Sequence, residues 1–145
     1  HAHLEGQAGA IAVAVAAAFA WQTREMVGPE SGRRLIECAL EHTPRGETQQ
    51  GIEKALGLPR DLSWQTAASL LGNGSKVIAQ DPVPYCLWCA AKHLDDYREA
   101  LWTTVSAGGD IDTNCAIVGG IVALSAGPDA IPAEWLRARE ALQLG

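Results

Sequence analysis

Apolar residues recur along this chain at helical rather than strand spacing, and short stretches rich in Gly, Pro and Asn separate the apolar segments. The clearest example covers residues 113–125, where Ile117, Gly120, Ile121 and Leu124 fall on one face of a helix. Alternating, strand-like segments are scarce, and the chain has only one Phe and two Tyr. This pattern predicts an all-α fold.

The polar breaks divide the chain into predicted helices whose ends carry suitable capping residues. Ser63 is placed to cap one helix and Asp95 another. Gly108 is placed to end a helix as its C′ residue, and Pro132 to begin the last one. The predicted helices cover residues 6–22, 33–41, 49–56, 63–71, 84–92, 95–108, 113–125 and the segment from 132 onward.

The composition favours a folded protein and argues against a nucleic-acid partner. The chain has 145 residues, 48% of them hydrophobic, which suits a single domain or half-domain over residues 1–145. Its net charge is −6, and no basic run is longer than Arg33-Arg34. Four cysteines without regular spacing favour free, buried thiols, so we expect a cytoplasmic protein.

The apolar segment at residues 8–21 predicts a buried helix. It is too short to span a bilayer, and no Lys or Arg precedes it, as a signal peptide would require. We therefore expect no membrane association. Because the chain starts at His1 and its only methionine is Met26, we also expect it to be a processed or truncated product.

The segment from Gly108 to Thr113 carries the most specific chemistry. Asp110 and Asp112 are separated by one residue, and Thr113 adds a hydroxyl where a glycine turn enters a predicted helix. Carboxylate and hydroxyl oxygens are ligands for a hard cation such as Mg²⁺, and a helix N-terminus favours negative charge. The alternative is that Asp112 is only an N-cap and Asp110 a solvated turn residue.

Four stretches in the same order resemble a known family. SAGGDIDT at residues 106–113, followed by AIVGG at 116–120, resembles the C-terminal metal motif of the ADP-ribosylglycohydrolases. This family includes the dinitrogenase reductase-activating glycohydrolase. HAHLEG at 1–6 is similar to the family's His-x-His-Pro-Glu-Gly segment, with Leu4 in place of proline. DPVPY at 81–85 and AIPAEW at 130–135 are similar to its Val-Pro helix start and its closing Ile-Pro-x-x-Trp.

The resemblance implies the C-terminal half of an orthogonal all-α bundle around a two-magnesium centre. It implies Mg²⁺-dependent hydrolysis of the N- or O-glycosidic bond that links ADP-ribose to a protein or a small molecule. The metals would position and polarise the ribose hydroxyls and a water molecule. The implied metal ligands are Asp110, Asp112 and Thr113, with Asp110 also catalytic, and the implied substrate-binding residues are Gly72, Asn73, Gly74, Tyr85 and His3.

The sequence departs from the family in its ligand set. Family members are about twice this length, and their N-terminal half carries a Gly-Asp motif and a Thr-Asp-Asp motif that complete the metal site. The closest segment here, Leu94-Asp95-Asp96-Tyr97, is better explained by helix capping. We therefore expect this chain to be inactive alone. A separate N-terminal-half chain would restore the enzyme, whereas a homo-oligomer with a binding or structural role is the non-enzymatic alternative.

A second constellation offers a weaker alternative. Cys86, Cys89 and His93 share a helix face, and Cys38 and His42 form an i, i+4 pair, so together they could hold zinc. The competing interpretation is that the thiols are small core residues. The same core role is expected for the five tryptophans, which are spread over different predicted helices.

Overall fold

The computed structural model describes residues 3–76 and 78–141, and within them the chain forms eight α-helices and no strand. The helices are Leu4–Thr23 (α1), Ser31–His42 (α2), Glu47–Gly57 (α3), Trp64–Leu71 (α4), Pro82–Lys92 (α5), Tyr97–Ser106 (α6), Ile111–Ala126 (α7) and Ala133–Ala138 (α8). The predicted all-α fold is confirmed. His1 and Ala2, which begin the first family-like stretch, lie outside the described residues.

Helix α5 forms the centre of the bundle. Every residue from Pro82 to Ala90 is buried, and the helix packs against α2, α3 and α7. A helix that is apolar on all sides is stable only when neighbours cover it all round. Its two ends reach opposite parts of the surface, with Asp81 before the N-terminus and Lys92 at the C-terminus.

Helix α1 packs against α2 and α7 through a stripe of small residues. Ala8, Ala12, Ala16 and Ala20 are at most 2% exposed and let the neighbouring helices approach closely. The segment Leu4–Met26 is long and apolar enough to cross a membrane by length and composition, and 28% of its most apolar stretch is buried. The predicted helix is present, but only its stripe of small residues is buried, and its length corrects the expectation that the apolar segment is too short to span a bilayer.

Two helices have a different capping residue from the predicted one. In α3 the cap is a residue distant in sequence, and in α6 it is the residue next to the predicted cap. Helix α3 begins at Glu47 rather than Gln49, since the carboxylate of Glu5 accepts hydrogen bonds from the first backbone N–H groups of α3. Helix α6 is capped by Asp96 rather than Asp95, with its side chain accepting from the backbone N–H of Glu99 at 3.0 Å. Ser63 caps α4 as predicted.

Candidate metal and substrate site

A tight glycine turn joins α6 to α7 and presents the Asp110 segment. Gly108 and Gly109 have φ angles of +65° and +72°, which side chains rarely adopt. A Cβ atom on Gly109 would lie 2.1 Å from the backbone oxygen of Asn73, so the neighbouring loop leaves no room for one. Asp110 then caps α7, and its Oδ1 atom accepts from the backbone N–H of Thr113 at 3.3 Å.

The loop after α4 braces this turn. The backbone oxygen of Asn73 accepts hydrogen bonds from the backbone N–H of Asp110 at 3.2 Å and from Nδ2 of Asn114 at 2.8 Å. The side-chain amide of Asn73 donates to the backbone oxygen of Ala107 at 2.9 Å. Asn114 is completely buried. Asn73 thus contacts both sides of the turn and fixes the direction in which Asp110 leaves it.

Asp81 anchors the other side of the same loop. Its Oδ2 atom accepts from the backbone N–H of Lys76 at 3.2 Å, and the residue is only 7% exposed. Gly72 has φ +97°, and a Cβ there would lie 2.4 Å from the backbone oxygen of Asp81. Sequence reasoning missed Asp81 and Asn114 as parts of the site. The Asp-Pro pair at a helix start was the available sign for Asp81, and nothing local pointed to Asn114.

The three candidate metal ligands lie together in the first turn of α7. Asp110 is half-buried, whereas Asp112 and Thr113 are exposed. Over residues 3–76 and 78–141, no ion pair or side-chain hydrogen bond occupies the Asp112 carboxylate or the Thr113 hydroxyl. The donor chemistry fits Mg²⁺, which prefers oxygen ligands and keeps several waters. The described part of the chain contains no cluster of three or more His, Cys, Asp or Glu residues suited to a metal.

The two carboxylates affect the thiols beneath them. Burial raises the pKa of Cys115, and the charge of Asp112 raises it further. The pKa of Cys86 is raised mainly by burial, with a further contribution from the charge of Asp110. The negative charge of this turn therefore acts on thiols of both α5 and α7, and a bound cation would offset it.

A polar cavity of about 380 Å³ lies beside the loop. Gly72 and Asn73, two of the predicted substrate-binding residues, line it together with Lys76, Gln80 and Glu47. Gly74, which follows them in the same loop, is buried and has a φ angle of +86°. A Cβ atom on Gly74 would lie 3.0 Å from the Cβ atom of Asp110. The structure thus brings all three loop residues next to the aspartate turn.

His3 lies at a different part of this end of the molecule. It precedes α1, is exposed, and does not belong to the described lining of the cavity. Two residues later, the Glu5 carboxylate accepts from the hydroxyl and backbone N–H of Thr48 at 2.7 and 2.8 Å. The Thr48 hydroxyl is the main reason why the pKa of Glu5 lies below its usual value. Glu5, which belongs to the family-like stretch, therefore acts as a cap of α3.

Tyr85 does not reach the surface. Its side chain is fully buried, and its hydroxyl donates to the backbone oxygen of Thr103 at 2.9 Å. Burial raises the pKa of Tyr85 far above its usual value. The ring is stacked on Trp88 with centroids 6.0 Å apart. The expectation that Tyr85 contacts substrate is corrected here, because α5 points its ring into the core.

Two of the four cysteines occupy the core, whereas Cys38 and Cys115 are partly exposed, so the expectation of buried thiols holds only for the two in the core. Cys86 and Cys89 are buried, and burial raises the pKa of Cys89 to about 12. A thiol that stays protonated is a poor metal ligand. His93 instead bonds through Nε2 to the Thr103 hydroxyl at 3.0 Å. These contacts favour the packing interpretation over the zinc interpretation.

Comparison with known proteins agrees with the family-like stretches. The sequence model of a family described as ADP-ribosylglycohydrolase matches residues 1–144. No curated protein and no solved structure matches the chain. The family match covers every element described above, including the aspartate turn and the loop that braces it.

Proposed function

The chain belongs to the ADP-ribosylglycohydrolase family, and from that premise we propose that it supplies one half of a hydrolase site for ADP-ribosyl N- or O-glycosidic bonds. The observation that carries the proposal is the aspartate turn. Asp110, Asp112 and Thr113 lie at the start of α7, and Asn73, which lines the polar cavity, is hydrogen-bonded to the turn that precedes them. A site that must position a bond for hydrolysis requires such fixed geometry.

Asp110, Asp112 and Thr113 are the residues that would hold Mg²⁺. When bound, the metal supplies Lewis-acid polarisation and orientation of substrate oxygens. Asp110 keeps one carboxylate oxygen on the Thr113 backbone N–H, which leaves the other oxygen for the cation. Asp112 and the Thr113 hydroxyl are exposed and carry no competing contact in the described part of the chain. Asp110 is the residue that we assign to orienting the reacting group.

The cavity beside the loop is the proposed place for the ADP-ribose moiety. Lys76 lines it and forms no ion pair within the described residues, so its charge is free to attract a diphosphate. Gly72 and Asn73 bring the backbone to the cavity wall without bulky side chains. Protein-linked and small-molecule-linked ADP-ribose both fit this proposal, because it places no contact on the acceptor.

We propose that a second ligand set comes from another chain or segment. Three oxygens from one turn leave half of an octahedral Mg²⁺ shell to be filled. The outward face of α1 and α7 gives the reason to expect a partner. This face is defined here as the exposed, mostly small and apolar residues Ala10, Ile11, Ala14, Ala18, Trp21, Ala116 and Gly120. Helices α1 and α7 pack against each other, and exposed apolar residues on packed helices are the kind of surface that interfaces use.

Two kinds of partner could cover that surface, and each would give the assembly a different activity. A chain that supplies the missing ligands would complete a cytoplasmic, Mg²⁺-dependent enzyme. A second copy of this chain would bury the same face and leave a non-catalytic binding or structural protein. Native and denaturing mass spectrometry of the purified material separates them, because a heterologous complex contains a second mass and a homo-oligomer contains only multiples of 15.3 kDa.

The activity test then uses whichever assembly is found. We expect a heterologous complex to release ADP-ribose from an ADP-ribosylated substrate only with Mg²⁺. Asp110→Asn and Asp112→Asn should each abolish this release, whereas Asp61→Asn, on an exposed residue away from the turn, should not. Equal activity in all three variants would remove the aspartate turn from the mechanism. Release of ADP-ribose by the isolated 145-residue chain would contradict the half-site proposal.

A further inference from the structure

A groove lies at the end of α5 opposite to the aspartate turn. It has two adjoining lobes of about 280 and 370 Å³. The lobes share Pro29, Gly32, Arg60, Ala91 and Lys92 as lining residues. Helix α5 has 11 residues, so its length of about 16 Å, at 1.5 Å per residue, separates the groove from Asp81 and the candidate metal site.

The junction between the two lobes carries two cations without acidic partners. Lys92 donates through Nζ to the backbone oxygen of Leu62 at 2.8 Å, and Arg60 donates to the backbone oxygen of Pro29. Within residues 3–76 and 78–141, no carboxylate lies within 4.0 Å of either side-chain charge. Neutral carbonyls thus hold these groups in place and leave their charge uncompensated. The two charges lie at the same point of the groove, because both residues line both lobes.

The other charged residues of the groove are of both signs. Arg33 lines the first lobe and is paired with Glu37 at 2.8 Å. Glu30 lines the first lobe and Asp95 the second, and neither forms an ion pair among the described residues. Arg60 and Lys92 are the charged lining residues that the two lobes share, so the positive charge of the groove is concentrated at the junction.

The first lobe is apolar beyond the junction. Its described wall includes the side chains of Ile36, Ala55, Leu56, Leu58 and Trp88. Leu56 and Leu58 are half-buried and form the more accessible part of this wall, whereas Trp88 is only 4% exposed and lies beneath Lys92, whose Nζ is 4.7 Å from the centroid of its ring. A dry cavity of about 150 Å³ admits a benzene ring. A lobe of about 280 Å³ therefore has room for one substituted ring.

We propose that this groove binds a small amphipathic anion, with its phosphate or carboxylate at Arg60 and Lys92 and its apolar body over Trp88. The two cations supply charge-assisted hydrogen bonds to the head group. The apolar wall supplies affinity that a bare anion lacks. This binding site needs no metal and no second chain, so it stands apart from the proposed hydrolase site.

Phenyl phosphate is the probe that tests the proposal on the full 145-residue chain. Isothermal titration gives its affinity, and the Trp88 indole N–H resonance in an ¹⁵N–¹H spectrum gives its location. We expect phenyl phosphate to bind about tenfold more tightly than either phenol or inorganic phosphate, because it uses both the cations and the apolar wall. Equal binding of phenyl phosphate and inorganic phosphate would overturn the proposal, as would the absence of binding at about 10 mM.

Matched variants separate the groove from general charge attraction. Arg60→Gln and Lys92→Gln should each weaken phenyl phosphate binding about tenfold. Arg34→Gln removes an exposed cation from α2 outside the groove and should leave the affinity unchanged. Lys92→Arg keeps the charge and should retain binding, and the ¹⁵N–¹H spectrum of Lys92→Gln shows separately that this variant still folds. An equal loss in Arg34→Gln would overturn the proposal.

Discussion

At the scale of single residues, Gly109 is the position where the aspartate turn tolerates no side chain. Gly108 and Gly109 both have positive φ, but only a Cβ on Gly109 would meet a neighbour, the Asn73 oxygen at 2.1 Å. Gly108→Ala should lower the free energy of unfolding by about 1–2 kcal/mol through backbone strain alone. Gly109→Ala should lower it by at least about 1 kcal/mol more, because the loop must also move.

Urea unfolding of the two alanine variants and the unchanged chain measures this difference. Since the two positions are adjacent, Gly108→Ala is the matched control for the conformational cost at Gly109. If both variants lose the same free energy of unfolding, the loop at Asn73 moves aside without a measurable cost. The close packing of Asn73 on the turn would then have no energetic consequence.

Glu5 gives a prediction about pH. Its hydrogen bonds from Thr48 and Glu47 lower its folded pKa below the ordinary value of 4.5. The stabilisation from the carboxylate is therefore fully present above that value and is lost as the pH falls through the folded pKa. Glu5→Gln removes the charged cap and should cost about 1–2 kcal/mol near neutral pH. The difference between the two proteins should narrow below pH 4.5.

Chemical denaturation between pH 7 and pH 3 checks this dependence. Glu53→Gln, on the exposed surface of α3, is the control and should change the free energy of unfolding by no more than about 0.5 kcal/mol. A constant difference between Glu5→Gln and the unchanged chain at every pH would contradict the role of the Glu5 carboxylate as the cap of α3.

At the scale of elements, the loop after α4 couples to the α6–α7 turn through Asn73. Asn73→Ala removes the side-chain bonds to the Ala107 oxygen and from the Ser75 N–H but keeps the backbone oxygen that holds Asp110 and Asn114. The turn should persist with a less fixed direction. We expect the affinity of the proposed cation site to fall about 10–100-fold, as it does when residues that support metal ligands are lost.

Manganese binding, followed by electron paramagnetic resonance, measures that affinity without requiring turnover. Ser69→Ala is the control, since Ser69 is exposed, lines the same cavity and contributes no hydrogen bond from its side chain within the described residues. If Asn73→Ala and Ser69→Ala bind manganese equally well, the bracing contact has no bearing on the site. If neither they nor the unchanged chain binds manganese, the three oxygens do not suffice alone.

The helices themselves could be predicted from the sequence where their caps are local. Ser63 before α4 and Gly108 after α6 act on their own helices, and both predictions are confirmed. The start of α3 could not be found this way, because its cap is Glu5, 42 residues earlier. The error in α6 is one residue: the sequence predicts Asp95 as the cap, and the structure uses the adjacent Asp96.

The candidate site follows the same rule. Asp110, Asp112 and Thr113 lie within four consecutive positions, so their motif was visible in the sequence. The supporting residues were not, because the bond from Asn114 to Asn73 spans 41 positions and the bond from Asn73 to Ala107 spans 34. Tyr85 shows the converse problem. Its place in a motif suggested substrate contact, yet Tyr85 belongs to a helix in which every residue from Pro82 to Ala90 is buried.

At the scale of the whole molecule, α5 separates two surfaces with different chemistry. Its N-terminal end supports the polar cavity and the aspartate turn, where acidic oxygens are exposed. Its C-terminal end supports the groove at Arg60 and Lys92. The outward face of α1 and α7 begins one helical turn after Asp112, since Ala116 is four positions further along α7. Helix α5 thus separates the cation site from the anion site, whereas the apolar face adjoins the cation site.

The outward face of α1 and α7 yields the last prediction. If a partner covers it, the purified protein should form a species heavier than 15.3 kDa. Ala116→Glu places a charge on that face and should weaken assembly at least about tenfold, because the carboxylate would be buried without a partner. Ala133→Glu, on an exposed residue of α8, should leave assembly unchanged. Light scattering after size-exclusion chromatography gives the masses. Urea unfolding shows whether each variant still folds, since an exposed alanine should tolerate glutamate within about 0.5 kcal/mol. A monomer at every concentration, or equal assembly of the two variants, would mean that this face remains uncovered.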